Sequence, residues 1–217
     1  MRFSALIWDM DGTLFDTYPA IRAGVVAAFA EHGVTVDAQR VARLLAVTFN
    51  DCLETLAAEH SLDPAVIQAT YARLRPEGVP PELCPPFPGV IDLCHRMIAA
   101  GGCNLIFTHR ERASLDRFLT YHGMTALFAD TLTVDEGGAR KPDPGGFLTL
   151  LTRNGISPEQ ALAIGDRDLD IEAGQRAGIK TCYFASPEFP GGPLPPAVVP
   201  DYTISSYAEL AAILFTA

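Results

Sequence analysis

Short apolar runs alternate with helical patterns along most of this chain, and this alternation constrains its fold more than any other feature. Helical patterns lie at 89–100, 111–122, 144–154, 168–177 and 206–215. Apolar runs of strand length lie at 3–8, 103–107, 130–134, 161–164, 180–184 and 201–204. Strand–helix–strand repeats build parallel sheets, because the helix carries the chain back to the starting edge. The expected fold class is α/β, a Rossmann-like parallel sheet with helices on both faces.

Residues 17–85 interrupt this alternation, because they contain no convincing strand. Their helical patterns occupy about 17–31, 38–48, 51–60 and 64–75. Six prolines between residues 76 and 88 then indicate a stiff return to the sheet. We therefore expect a core made of residues 1–16 and 86–217, with residues 17–85 forming a small α-helical domain. The alternative is that these helices extend one face of the sheet.

Composition narrows the classes of partner and the cellular location. A net charge of −10 argues against nucleic acid, whose phosphates require a basic surface. No apolar run approaches the ~20 residues that span a bilayer, so no membrane association is expected. The five cysteines form no metal-binding spacing, and Met1-Arg2 leads directly into the first apolar run. These features favour a cytoplasmic protein with reduced thiols, and a monomer and a homodimer are equally compatible with them.

Two carboxylates, Asp9 and Asp11, follow the first apolar run, at the edge of a sheet where ligands bind in open α/β folds. They can face one pocket only if the backbone turns, and Gly12 permits that turn. Carboxylates that share a pocket repel each other unless a cation lies between them. A hard cation such as Mg²⁺ is the economical explanation, with one aspartate as nucleophile and the other as acid and base. An acidic surface turn is the structural alternative.

Three further polar elements follow in order. Thr108 ends the run 103–107 and offers a hydroxyl to a phosphoryl oxygen. Lys141, in Lys-Pro-Asp-Pro, is a compact cation suited to phosphate. Asp166 and Asp170 follow the run 161–164 and share one face if a helix begins there. Each element alone has an ordinary structural explanation, but together they form a specific pattern.

This ordered set resembles the four motifs of the haloacid dehalogenase-like hydrolase superfamily, in particular its phosphoglycolate phosphatase-like and β-phosphoglucomutase-like branch. The resemblance implies that Asp9 attacks phosphorus to form an aspartyl phosphate. It implies that Asp11 protonates the leaving oxygen and later deprotonates the attacking water. It also implies that Thr108 and Lys141 hold the transferred group, and that residues 17–85 form a cap over the site.

The resemblance also implies a magnesium site. Its ligands would be the carboxylates of Asp9 and Asp166 and the backbone carbonyl of Asp11, with Asp170 in the surrounding shell. His109 and Arg110 follow Thr108 and are candidates for substrate binding at the entrance, with surface solvation as their alternative. The role of Arg167 stays open.

The expected function is therefore a Mg²⁺-dependent phosphatase that acts on a small phosphorylated metabolite, of the phosphoglycolate or sugar-phosphate type. The nearest alternative is a phosphosugar mutase of the same superfamily. Those mutases carry a histidine where this chain has Ile21, and commonly a glutamate where it has Gly165, so both departures disfavour that alternative. A catalytically idle binding or regulatory protein is the remaining alternative, although every motif position is filled.

Overall fold

The computed structural model describes residues 2–45, 47–137, 139–186 and 194–215, and its centre is a parallel sheet of six strands. The strand order is β3-β2-β1-β4-β5-β6. The strands are β1 (Ala5–Trp8), β2 (Cys103–Phe107), β3 (Asp130–Leu132), β4 (Ala161–Gly165), β5 (Lys180–Phe184) and β6 (Tyr202–Ile204). All five neighbouring pairs are parallel. The predicted Rossmann-like α/β class is confirmed.

Helices cover both faces of this sheet because its strands are apolar on both sides. Successive side chains of a strand point to opposite faces. Leu6 and Trp8 accordingly pack into one buried cluster, whereas Ala5 and Ile7 pack into another. The first face is covered by α5 (Val90–Ala99), α6 (Arg112–Tyr121) and α9 (Tyr207–Phe215). The second face is covered by α7 (Gly145–Asn154) and α8 (Asp168–Arg176).

Four helices lie between β1 and α5 and share a separate hydrophobic cluster. They are α1 (Tyr18–Ala30), α2 (Ala38–Leu45), α3 (Phe49–Glu59) and α4 (Pro64–Leu74). Phe29, Val41, Leu56 and Ile67 are buried at its centre. Asp63 caps α4 by accepting a hydrogen bond from the Ala65 N–H at 2.9 Å, with Pro64 at the first helical position. These helices therefore pack chiefly on one another.

Some element bounds differ from the sequence prediction. β1 begins at Ala5, and β3 ends at Leu132, where residues Val134–Glu136 form a 3₁₀ turn. Thr133 begins that turn with a capping box to Glu136, and this local hydrogen bonding competes with strand pairing. The sequence also predicts a proline- and glycine-rich loop over 186–200, and residues 187–193 of that segment lie outside the described residues.

The register of the central strands determines where the site forms. Trp8 of β1 lies level with Ile106 of β2 on one side and Ile164 of β4 on the other. Because the three strands are parallel, the residues that follow them meet at one edge of the sheet. Asp9, Thr108 and Asp166 are therefore brought together by the sheet.

Among the described helices, none is long and apolar enough to cross a membrane.

Candidate active site

Asp9 lies at the base of the site, directly after β1, and is 3% exposed. Its backbone N–H donates to the Ile164 carbonyl at 2.9 Å, so the chain still follows β4 here. Its Oδ1 accepts a hydrogen bond from Lys141 Nζ at 2.6 Å, while its Oδ2 is buried with no hydrogen-bond partner in the described part of the chain. Burial, and the nearby charge of Asp170, raise the pKa of Asp9 to about 6 despite the lysine. One buried carboxylate oxygen of Asp9 thus has no hydrogen-bond partner among the described residues.

Lys141 bridges two carboxylates inside the protein. Its Nζ lies 2.6 Å from Asp9 Oδ1 and 2.7 Å from Asp170 Oδ1, and its own side chain is 1% exposed. The ammonium also lies 4.9 Å from the centre of the Phe107 ring, a favourable cation–π contact. Burial lowers the pKa of Lys141, but the attraction of Asp170 and Asp9 outweighs this and raises it overall. The lysine therefore stays positively charged.

Asp166 completes a group of three carboxylates. Its Oδ1 accepts from the Thr13 hydroxyl at 3.1 Å and its Oδ2 from the Tyr18 hydroxyl at 2.7 Å. Burial and the charge of Asp9 raise the pKa of Asp166 to about 8. One oxygen from each of Asp9, Asp166 and Asp170 lies within 4.8 Å of the others. Hard oxygen donors at this spacing are suited to a divalent cation such as Mg²⁺.

Asp11 is near this group, but its carboxylate pairs with Arg110 instead. Arg110 Nε donates to Asp11 Oδ2 at 2.8 Å and Nη2 donates to Oδ1 at 2.6 Å, a bidentate arrangement. The guanidinium also donates to Ser114 Oγ at 2.8 Å and lies 4.5 Å from the centre of the Phe118 ring. Burial raises the pKa of Asp11, but Arg110 outweighs it and lowers the pKa below its ordinary value. Asp11 is therefore an ionised, immobilised carboxylate in this arrangement.

Thr108 and His109 directly follow β2 and contribute to the same site. Thr108 is 1% exposed, and its hydroxyl accepts from the Arg110 N–H at 3.2 Å. His109 Nε2 accepts from the Lys141 backbone N–H at 2.8 Å, which requires the proton of the neutral ring on Nδ1. Burial and the charge of Lys141 lower the pKa of His109 to about 4, so the ring is neutral near pH 7. His109 thus contacts the loop that carries Lys141, and its binding of substrate stays a prediction.

Gly12 is required by the turn that directly follows Asp11. Its φ is +76°, in the left-handed region that favours glycine. A Cβ at this position would lie 2.3 Å from the Tyr18 ring and 2.4 Å from Asp166 Oδ2. Any other residue would push two elements of the site apart.

The structure adds Tyr18 and Thr13 to the site, which the sequence did not indicate, and defines a contact of Arg167, whose role the sequence leaves open. Tyr18 and Thr13 hold Asp166, and Arg167 donates its backbone N–H to Asp170 Oδ2 at 3.1 Å. Thr13 lies within the first motif and could have been suspected from its position. Tyr18 carries no such signal, because its contact with Asp166 joins residues 148 positions apart.

A family model described as haloacid dehalogenase-like hydrolase matches residues 6–184. N-acetylmuramic acid 6-phosphate phosphatase of Pseudomonas aeruginosa is 30% identical over 184 residues, which cover 83% of this chain and 81% of that protein. Phosphoglycolate phosphatase of Aliivibrio fischeri is 27% identical over 181 residues, which cover 80% of each chain.

Among solved structures, a HAD family hydrolase from Deinococcus radiodurans R1 with bound phosphate and sodium superposes with a TM-score of 0.79. It is 25% identical, and the match covers 98% of this chain and 95% of that one. The predicted family is thereby confirmed. The chain belongs to the haloacid dehalogenase-like hydrolase family, and the relatives that it matches over 80% or more of its length place it among the phosphatases of that family.

Proposed function

We propose that this chain is a Mg²⁺-dependent phosphatase that hydrolyses a small phosphorylated metabolite through an aspartyl phosphate on Asp9. The observation that carries the proposal is the state of the Asp9 carboxylate. One oxygen is held by Lys141 at 2.6 Å, and the other is buried without a hydrogen-bond partner in the described residues. A buried, unpaired oxygen is costly for a structural residue, but a nucleophile requires one.

The donor set supports a divalent cation beside Asp9. Three buried carboxylates are grouped here, and Lys141 pairs with two of them, Asp9 and Asp170. The pKa of the third, Asp166, is raised to about 8, mainly by burial. Such carboxylates are stabilised when positive charge enters the group. Asp9 and Asp166 would hold the ion, the backbone carbonyl of Asp11 is a further ligand by analogy with the family, and Asp170 would orient the surroundings. When bound, the ion supplies positive charge that offsets repulsion between a phosphate dianion and a carboxylate nucleophile.

The remaining residues take roles that follow from their positions. Lys141 keeps Asp9 ionised and adds positive charge beside the transferred group. The Thr108 hydroxyl, which accepts from the Arg110 N–H, still has its own proton to donate to a phosphoryl oxygen. Asp11 is ionised beside Arg110, so it would have to leave the guanidinium and take up a proton before it could protonate the leaving oxygen. As a carboxylate again, it would then accept a proton from the attacking water.

We further propose that residues 17–85 form a cap over the core of residues 1–16 and 86–217. The separate hydrophobic cluster of α1–α4 supports this division. The contact of Tyr18 with Asp166, and that of Arg117 with Glu77 at 2.7 Å, join the two parts near the two ends of the segment 17–85. A cap that closes over the site would exclude water from the acyl phosphate.

Turnover of p-nitrophenyl phosphate tests the function directly. We expect activity with Mg²⁺, loss of activity with EDTA and recovery when Mg²⁺ is added in excess. Asp9→Asn should abolish turnover, whereas Asp116→Asn, at a 60% exposed side chain paired with Arg112, should not. Rapid quenching should trap a protein-bound phosphoryl group that hydroxylamine releases, as expected of an acyl phosphate. Retention of most activity in Asp9→Asn would refute the assignment of the nucleophile.

A further inference from the structure

Tyr18 contacts both the helical segment 17–85 and the core. It is the first residue of α1, and its ring packs in the hydrophobic cluster that α1–α4 share. Its hydroxyl donates to Asp166 Oδ2 at 2.7 Å, and Asp166 directly follows β4 of the core. Burial, and the charge of Asp166, raise the pKa of Tyr18 well above its ordinary value, so the hydroxyl keeps its proton. One side chain therefore joins the proposed cap to a carboxylate of the site.

The position of the Tyr18 hydroxyl depends on the position of α1. The Gly12 N–H donates to the Phe15 carbonyl at 2.9 Å, so the chain is still held in the turn of the core shortly before Tyr18. The ring lies close against Gly12, where a Cβ would be 2.3 Å from it. A tyrosine side chain has few rotatable bonds, and this ring is packed on both sides. Its hydroxyl therefore reaches Asp166 only while α1 stays close to the core.

Thr13 holds the same carboxylate from the core. Its hydroxyl is buried and donates to Asp166 Oδ1 at 3.1 Å. The two oxygens of Asp166 thus accept one hydrogen bond from the core and one from the segment 17–85. A carboxylate oxygen has two lone pairs, so these bonds still leave a position for a cation. Hydrogen bonds of this kind orient a metal ligand, and losing one typically lowers metal affinity by about 10–100-fold.

We propose that Tyr18 is a positioning residue for Asp166, and that through Tyr18 the affinity of the site for Mg²⁺ depends on the position of the cap. With α1 close to the core, Tyr18 and Thr13 both orient the carboxylate. When α1 moves away, only the bond from Thr13 remains, and Mg²⁺ binds more weakly. Because linkage is reciprocal, Mg²⁺ favours the arrangement with the Tyr18 contact by the same factor. This inference rests on the proposed metal site and cap, and it names the side chain that couples them.

Calorimetric titration of the full chain with Mg²⁺, in the absence of phosphate, tests the positioning role. Tyr18→Phe keeps the ring and removes the hydroxyl, so the Kd for Mg²⁺ should rise by about 10-fold or more. Tyr121→Phe is the matched control, because Tyr121 is 58% exposed, and it should keep the wild-type Kd. Thermal melting would verify that both variants fold. Equal Kd values in Tyr18→Phe and the wild-type protein would overturn the inference alone, whereas absence of Mg²⁺ binding by the wild-type protein would overturn the proposed metal site as well.

Hydrogen exchange separates coupling to the cap from a local effect on Asp166. Mg²⁺ alone, at saturation, should slow exchange at residues 20–24 of α1 in the wild-type protein. Thr13→Val removes a hydroxyl from the same carboxylate on the core side, so it should weaken Mg²⁺ binding but keep this slowing once Mg²⁺ is saturating. Tyr18→Phe should lose the slowing even at saturating Mg²⁺. Exchange in α1 that does not respond to Mg²⁺ in the wild-type protein, or that slows equally in both variants, would contradict the coupling through Tyr18.

Discussion

Replacing Lys141 by Met would test whether the buried charges of the site depend on one ammonium group. Methionine keeps a similar length and the contact with Phe107, but it leaves Asp9 and Asp170 without their common partner. The carboxylates are 3% exposed, so water cannot replace the lysine. Removing one partner of a buried pair costs about 3–5 kcal/mol. For a chain of this size, roughly 2–4 °C per kcal/mol predicts a fall in Tm of about 6–20 °C.

The loss of stability should depend on pH. The pKa of Asp9 in the folded protein is already raised to about 6, mainly by burial, and removing the lysine raises it further. An acid whose folded pKa lies above its unfolded value stabilises less as pH rises between the two. The destabilisation of Lys141→Met should therefore be larger at pH 8 than at pH 5, where the carboxylates can take up protons.

Lys180→Met provides the matched control for this measurement. Lys180 also pairs with an aspartate, Asp201, at 2.5 Å, but its side chain is 58% exposed. An exposed ion pair of this kind contributes little to stability, because water screens the two charges. Both variants would be melted in EDTA at pH 5 and pH 8 and followed by circular dichroism. A Tm shift at pH 8 that is no larger for Lys141→Met than for Lys180→Met would refute the reasoning.

Further perturbations address the metal group, the turn and the cap. In EDTA, the free energy of unfolding should fall as pH rises from 6.5 to 8, by at most about 1.4 kcal/mol per pH unit, because burial raises the folded pKa of Asp166 to about 8. Denaturant melts of Asp166→Asn should lose this slope, and a slope that persists in the variant would contradict its assignment to Asp166. Gly12→Ala should lower the free energy of unfolding by more than about 1 kcal/mol and reduce turnover, since φ is +76° and the new Cβ would meet Tyr18 and Asp166. Gly101→Ala, also at positive φ but with no atom within 4 Å of the new Cβ, separates backbone strain from the clash. When Mg²⁺ and a fluoride-based phosphoryl mimic are added, hydrogen exchange should slow at 12–20, 80–90 and 108–112, while exchange in the strands stays unchanged. If these three segments exchange equally fast in the free protein, residues 17–85 are a fixed extension of the core.

The fold could be predicted because it follows from local patterns. Alternating residues of β1, such as Leu6 and Trp8 against Ala5 and Ile7, enter different clusters, and both sets are apolar. That composition is typical of a strand buried between two helical layers. The end of β3 could not be predicted, because Thr133 and Glu136 replace strand pairing with a local turn.

The carboxylates and the lysine of the site could be predicted for a similar reason, since parallel strands bring their carboxyl ends to one edge. Asp9 and Asp166 follow adjacent strands, so their proximity is a consequence of topology. The contacts of Tyr18 and His109 are different, because each depends on a loop whose path is determined by packing. No periodicity in the sequence relates His109 to the backbone N–H of Lys141, 32 residues away.

The partner of Asp11 is the clearest example of what packing adds to the motifs. Asp11 lies two residues after Asp9, and the sequence predicts that both carboxylates face one cation. Three contacts of Arg110 explain why the Asp11 carboxylate has a different orientation. The Arg110 guanidinium is positioned by Ser114 and by the Phe118 ring, both on α6. The backbone N–H of Arg110 is held by Thr108, at the end of β2. The arginine is therefore fixed from two sides before it meets Asp11, and its charge is directed at the acid of the proposed mechanism. Net charge and motif spacing describe which groups are present, whereas this arrangement determines which of them are free to react.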